Sequence, residues 1–75
     1  SQLLELTIAP PDDQAPVWLI HNRRLENCRI TATPARQVGD RLIVDRLTVK
    51  RLQLQPGDSV RAVPLLPQQL QAVAA

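Results

Sequence analysis

Arg41–Val63 reads RLIVDRLTVKRLQLQPGDSVRAV, and the rest of the chain has to pack against it. Leu42-Ile43-Val44 is a short β-branched run that suits a pleated surface. Asp45 follows, and a short acidic side chain at this point can satisfy the open N–H groups of a helix start. Val49 and Leu52, three residues apart, fall on one helical face, with Lys50 and Arg51 turned outward. That basic pair sits where the end of a helix favours positive charge. Leu54 is expected to plug the core after the helix. Pro56-Gly57 is a turn dipeptide, with φ fixed at the first residue and free to turn positive at the second. Val60–Val63 then alternates as a half-buried strand does. The stretch therefore predicts strand, helix, anchoring leucine, turn and strand. A rival exists, because Leu47, Val49, Leu52 and Leu54 also alternate, with a slip at Lys50-Arg51 that would be a bulge. The helix is preferred, since the strand changes phase halfway and points Arg51 where Leu47 and Val49 point.

Working outward from this unit, Leu3–Ile8 alternates Leu4, Leu6 and Ile8 against Glu5 and Thr7, a strand with one wet face. Pro10 to Pro16 is an exposed loop or a linker. In the second case the first strand would pair outside the compact unit. Val17–Ile20 is too short for a helix and reads as a buried strand. A polar turn, His21-Asn22-Arg23-Arg24, separates it from a second alternating run with Cys28, Ile30 and Ala32 on one face. The two runs make a hairpin-like pair. Pro34 to Asp40 reads as a loop closed by Gly39-Asp40. Beyond Val63, prolines break regular structure, and Gln68–Ala75 reads as a weak helix begun by Pro67. The division is an N-terminal strand and loop over 1–16, a compact β domain over 17–65 and a tail over 66–75. The fold class is mainly β with one short helix (α+β), either a small mixed β-barrel or a twisted sheet.

Seventy-five residues allow one domain with a thin core. Cys28 is the single cysteine, so no disulfide framework supports it, and an unpaired thiol fits a reducing cytoplasm. Apolar residues make up 44%, nearly all aliphatic, with Trp18 the one aromatic. A core of this size calls for outside help: a dimer, a swapped element or a larger parent chain. The net charge of +2 permits an anionic partner without requiring one. No apolar stretch is long enough to span a membrane.

Chemistry is sparse. His21 beside Asn22 has the look of an amide-held base, but the sequence supplies no nucleophile to go with it. Cys28 next to Arg29 suggests a thiolate, while its place in an alternating face suggests a small buried hydrophobe, the commoner case. Asn22, Arg23, Arg24 and Arg29 form the one concentrated polar patch. Arginine forks suit carboxylates and phosphates, so these four are candidate anion or interface contacts, against the plainer reading of a solvated turn. Asp58 is expected to bond the local turn backbone. With two distant glycines there is no phosphate cradle, no Cys/His cluster offers a metal site, and stacking aromatics are lacking.

An apolar strand, then Asn22, then Arg29 opening the next strand, then a strand–helix unit closed by Gly57-Asp58-Ser59-Val60-Arg61, resembles the C-terminal region of arginine N-succinyltransferases. WLIHNRRLENCRI is especially similar to the pseudomonad members, and the resemblance runs from Ala15 to Leu65. It implies an enzyme that transfers a succinyl group from succinyl-coenzyme A to the α-amino group of arginine, in arginine catabolism. The acyltransferase core of that family lies in the longer part before this region. The resemblance therefore implies no catalytic residue and no coenzyme site in this chain. It implies a non-catalytic piece that stabilises the core or joins one protomer to another, with the remainder of the acyltransferase chain or a sister subunit as partner, and a homo-oligomer also open. The alternative is a small swapped-hairpin-type DNA-binding β-barrel, whose arginines would meet phosphates. Least favoured is an independent acyltransferase or hydrolase using His21 or Cys28.

Overall fold

The computed structural model describes residues 1–66. Six strands and one helix follow in chain order: β1 (Gln2–Ile8), β2 (Val17–His21), β3 (Ile30–Pro34), β4 (Arg36–Val38), β5 (Arg41–Val44), α1 (Arg46–Arg51) and β6 (Ser59–Pro64). They form a single mixed sheet in the order β3-β2-β6-β1-β5-β4. The β1–β5 pair is parallel and the other ladders are antiparallel. The expected helix over Gln68–Ala75 lies outside the described residues.

The sheet is twisted and open, which corrects the barrel half of the expectation. It nevertheless curls hard. Only Ala35 separates β3, at one edge, from β4, at the other. Five strand spacings would hold the edges of a flat sheet roughly 24 Å apart. One linking residue spans at most about 7.6 Å between flanking Cα atoms. The edges are therefore drawn together at Ala35, which is buried and donates its N–H to the Pro16 carbonyl at 3.0 Å. Strands that run on end to end cannot also pair side by side, so no ladder seals the curl.

The concave side holds the core: Leu4, Leu6, Trp18, Ile20, Leu42, Val44, Val60 and Ala62 from the sheet, with Val49 and Leu52 from the helix unit. Each fully buried Leu or Ile contributes about 1.5–3 kcal/mol. The Trp18 indole N–H is buried without a hydrogen-bond partner.

The helix forms as its sequence dictates. Asp45 is the N-cap, and its carboxylate accepts from the Thr48 N–H at 2.9 Å and from the Thr48 hydroxyl. The C-terminal end is a Schellman closure. Gln53 takes the left-handed conformation (φ 57), its N–H donates to the Lys50 carbonyl, and the Leu54 N–H reaches back to Val49. The fully buried anchor is Leu52, while Leu54 is half-buried against the same cluster. In the following turn the Asp58 N–H donates to the Gln55 carbonyl, and Gly57 has φ 92, the positive value required after Pro56 in a type II turn. Asp58 also accepts from the Gln55 N–H at 2.8 Å.

Three details differ from expectation. The loop before Gly39-Asp40 contains β4, hairpinned to β5 through a positive φ at Gly39. β1, which the sequence left free to pair elsewhere, is held on both sides, by β5 and β6. The apolar face of the third strand is turned outward: Cys28 precedes the strand and is exposed, as are Ile30 and Ala32. Opposed residues share a face in an antiparallel pair. Trp18 and Ile20 lie inside, so their partners Thr33 and Thr31 do too. The bulkier strand sets the phase.

Candidate functional site

The polar patch singled out by sequence is the β2–β3 loop, and Asn22 organises it. Asn22 is buried at 3% exposure. Its amide nitrogen donates to the carbonyls of Asn27 at 2.9 Å and Leu52 at 3.0 Å. Its amide oxygen accepts from the N–H groups of Arg24 at 3.2 Å and Arg29 at 3.1 Å. Two donors and two lone pairs are thus all used within the chain. Asn22 links the loop to the C-terminal end of α1, and it faces no solvent through which an anion would reach it.

Around this hub the backbone turns through Arg23 (φ 66) and Asn27 (φ 57). Arg23, Arg24 and Arg29 are exposed, and Leu25 between them is fully so. The loop therefore presents cations and one leucine outward from a fixed base. His21 is half-buried, and its Nδ1 accepts from the Arg23 N–H at 3.2 Å, a local turn contact. Cys28, read as a buried hydrophobe, is exposed instead, because it lies in the loop rather than in β3. The structure brings these residues into one loop but gives them no nucleophile–base pair.

A cleft of about 250 Å³ lies between the Pro10–Asp13 loop, Arg36 and the start of α1. Two of its carboxylates, Asp12 and Asp45, are already engaged. Asp12 meets Arg36 at 2.6 Å in an exposed pair, and the guanidinium holds its pKa below the ordinary value. Asp45 is held low by its hydrogen bonds from the Thr48 hydroxyl and N–H, against a smaller opposing effect of burial. Among the described residues no group of three His, Cys, Asp or Glu side chains is placed to hold a metal ion. No described helix is long and apolar enough to cross a membrane.

The feature that sequence reasoning missed is the convex face of the sheet. Leu19 stands opposite Val63 on one side and Ala32 on the other. In the next row Ile30, His21, Arg61 and Leu3 follow across four strands. Ile30 is 61% exposed and Leu3 47%. Within this face lies an open depression of about 360 Å³ lined by Ser1, Leu19, His21, Ile30, Arg61 and Val63. No described element packs over it. Alternation along the chain sets the period of these strands; which of the two apolar sets is buried depends on register.

Comparison with known proteins gives one family and a close relative. The family described as the C-terminal domain of the arginine N-succinyltransferase beta subunit matches residues 2–64. The relative is arginine N-succinyltransferase subunit beta of Pseudomonas aeruginosa, 58% identical over 65 residues. That alignment covers 87% of this chain and 19% of the relative, so the chain spans about a fifth of the relative's length. No solved structure matches the chain.

Proposed function

The chain belongs to the family of C-terminal domains of the arginine N-succinyltransferase beta subunit, and from that membership we propose that it serves such an enzyme as a non-catalytic domain. It stabilises the catalytic body or helps to assemble the subunits, in the cytoplasm, and the coenzyme and arginine sites belong to the remainder of the protein. The observation that carries this reading is the uncovered convex face. Leu3, Leu19, Ile30 and Val63 keep more than a third of their surface exposed on a domain that has already filled its own core. Large apolar side chains left exposed beside one another, as Leu19 is beside Val63 and Ala32, mark an interaction site. Its occupant is the part of the same polypeptide that precedes this domain in the family. Ser1, just before β1, lines the depression.

The experiment uses two pieces. The isolated domain is assayed with succinyl-coenzyme A and arginine, and is expected to be inert. It is then mixed with the remainder of the subunit and followed by co-elution, with Leu19→Arg and Val63→Arg as face variants. Co-elution that the arginines abolish supports the reading. Succinyl transfer by the domain alone would overturn it, and so would a failure of the wild-type pieces to associate.

A further inference from the structure

The two edges of the sheet are built differently. β4 is three residues long and carries Arg36, and short or charged edges resist pairing with other chains. β3 is five residues long, with no charge and no proline before Pro34. The direction of its backbone groups follows from two flanking bonds. The Asn22 N–H donates to the Arg29 carbonyl at 3.1 Å, and the Ala35 N–H donates to the Pro16 carbonyl at 3.0 Å. Both pairs continue the β2–β3 register, in which His21 opposes Ile30. Bonded pairs alternate along an antiparallel ladder. Arg29, Thr31, Thr33 and Ala35 therefore bond toward β2, while Ile30 and Ala32 aim both N–H and C=O away from it. Among the described residues no turn, loop or cap bond ends on Ile30 or Ala32.

We propose that β3 pairs antiparallel with β3 of a second copy of this chain, about a two-fold axis at Thr31. This inference does not depend on the function proposed above. In this register Ile30 lies opposite the second copy's Ala32 and Ala32 opposite its Ile30, so all four outward N–H groups and carbonyl partners are satisfied. A closed, self-complementary contact of this kind is what a two-fold dimer requires. The neighbouring registers are worse. An axis at Ala32 sets Ile30 against Pro34, which has no N–H to give. An axis at Ile30 sets Ala32 against Cys28, which lies outside the strand. The Thr31 axis also places Arg29 opposite Thr33, so no arginine faces another. Ile30 and Ala32 project on the convex side in line with Leu19 and Val63, and the pairing fuses two apolar stripes into one.

The test uses the full-length protein. Thr31→Cys in a Cys28→Ser background brings two thiols to a directly opposed, non-hydrogen-bonded pair, where Cβ atoms stand about 4.5–5.5 Å apart, near disulfide reach. Mild oxidation is expected to give a disulfide between the two introduced thiols, identified by peptide mapping, and none from Thr33→Cys. Ala32→Pro removes an N–H that points outward, so the fold, read by circular dichroism, is expected to hold. Self-association, read by sedimentation, is expected to weaken about tenfold with two N–H···O bonds lost. Absence of the cross-link, equal cross-linking at Thr33→Cys, or self-association unchanged in folded Ala32→Pro would overturn the proposal.

Discussion

The two faces of the curled sheet are written in the same alphabet. Leu4, Leu6, Ile20 and Val60 point inward from β1, β2 and β6, while Leu3, Leu19 and Val63 point outward from the same three strands and Ile30 from the neighbouring β3. The concave set is enclosed by the chain's own curvature and by α1, and its members retain at most 3% of their exposure. The convex set has no cover among the described residues. Hydrophobicity alone thus does not say what a side chain is for. The concave leucines hold this domain together, and the convex ones are available to hold it to something else.

Breaking the comparison begins on the concave side. Leu52→Ala empties a fully buried site under the helix end, and its expected cost is about 2–5 kcal/mol in a denaturation midpoint analysis. Should Leu52→Ala cost no more than a surface change, the concave side would not be the core described here. Asn22→Ala comes next, at about 2–4 kcal/mol, because it strands the buried Leu52 carbonyl and releases three loop contacts. Hydrogen exchange over Arg23–Arg29 should rise with it. Unchanged exchange there would show that the loop is held by something other than the amide.

A smaller effect tests the helix that roofs the concave side. Asp45→Ala is expected to cost about 1 kcal/mol at neutral pH through loss of the cap. The folded pKa of Asp45 is lowered, chiefly by the Thr48 hydroxyl. Its stabilisation is therefore present above the ordinary aspartate range and is lost as pH falls through the depressed value, where wild type and variant converge. A stability gap that does not shrink as pH is lowered from neutrality through the ordinary aspartate range and beyond would contradict the assignment. Smallest of all, Leu19→Ser with Val63→Ser should alter the stability of the isolated domain by only about 0.5 kcal/mol per site. The same pair should weaken its association with the remainder of the subunit. A large loss of stability in the isolated domain would make the convex face part of the core and erase the contrast.

Much of this architecture could be read from residue pattern. Asp45 as cap, Pro56-Gly57 as turn and the alternation of Leu4, Leu6 and Ile8 are local signals, and local signals survive in sequence. β4 was missed because Arg36-Gln37-Val38 is wholly exposed and offers no alternation. The outward turn of Ile30 and Ala32 was missed because period says nothing about phase, which Trp18 and Ile20 decide across the ladder. Asn22 was noticed as polar, but its bond to Leu52 spans thirty residues of chain. A convex apolar stripe assembled from β1, β2, β3 and β6 exists only once the strand order is known.

The place of β6 has one further consequence. It lies between β2 and β1, and no other strand joins those two. Without Ser59–Pro64 the sheet falls into a hairpin of β2 and β3 and a trio of β1, β5 and β4 with no strand ladder between them, joined through the Ala35 link and the helix end. The last strand in the chain thus supplies both ladders that make one sheet of the two groups, and the sheet is complete only when it is in place.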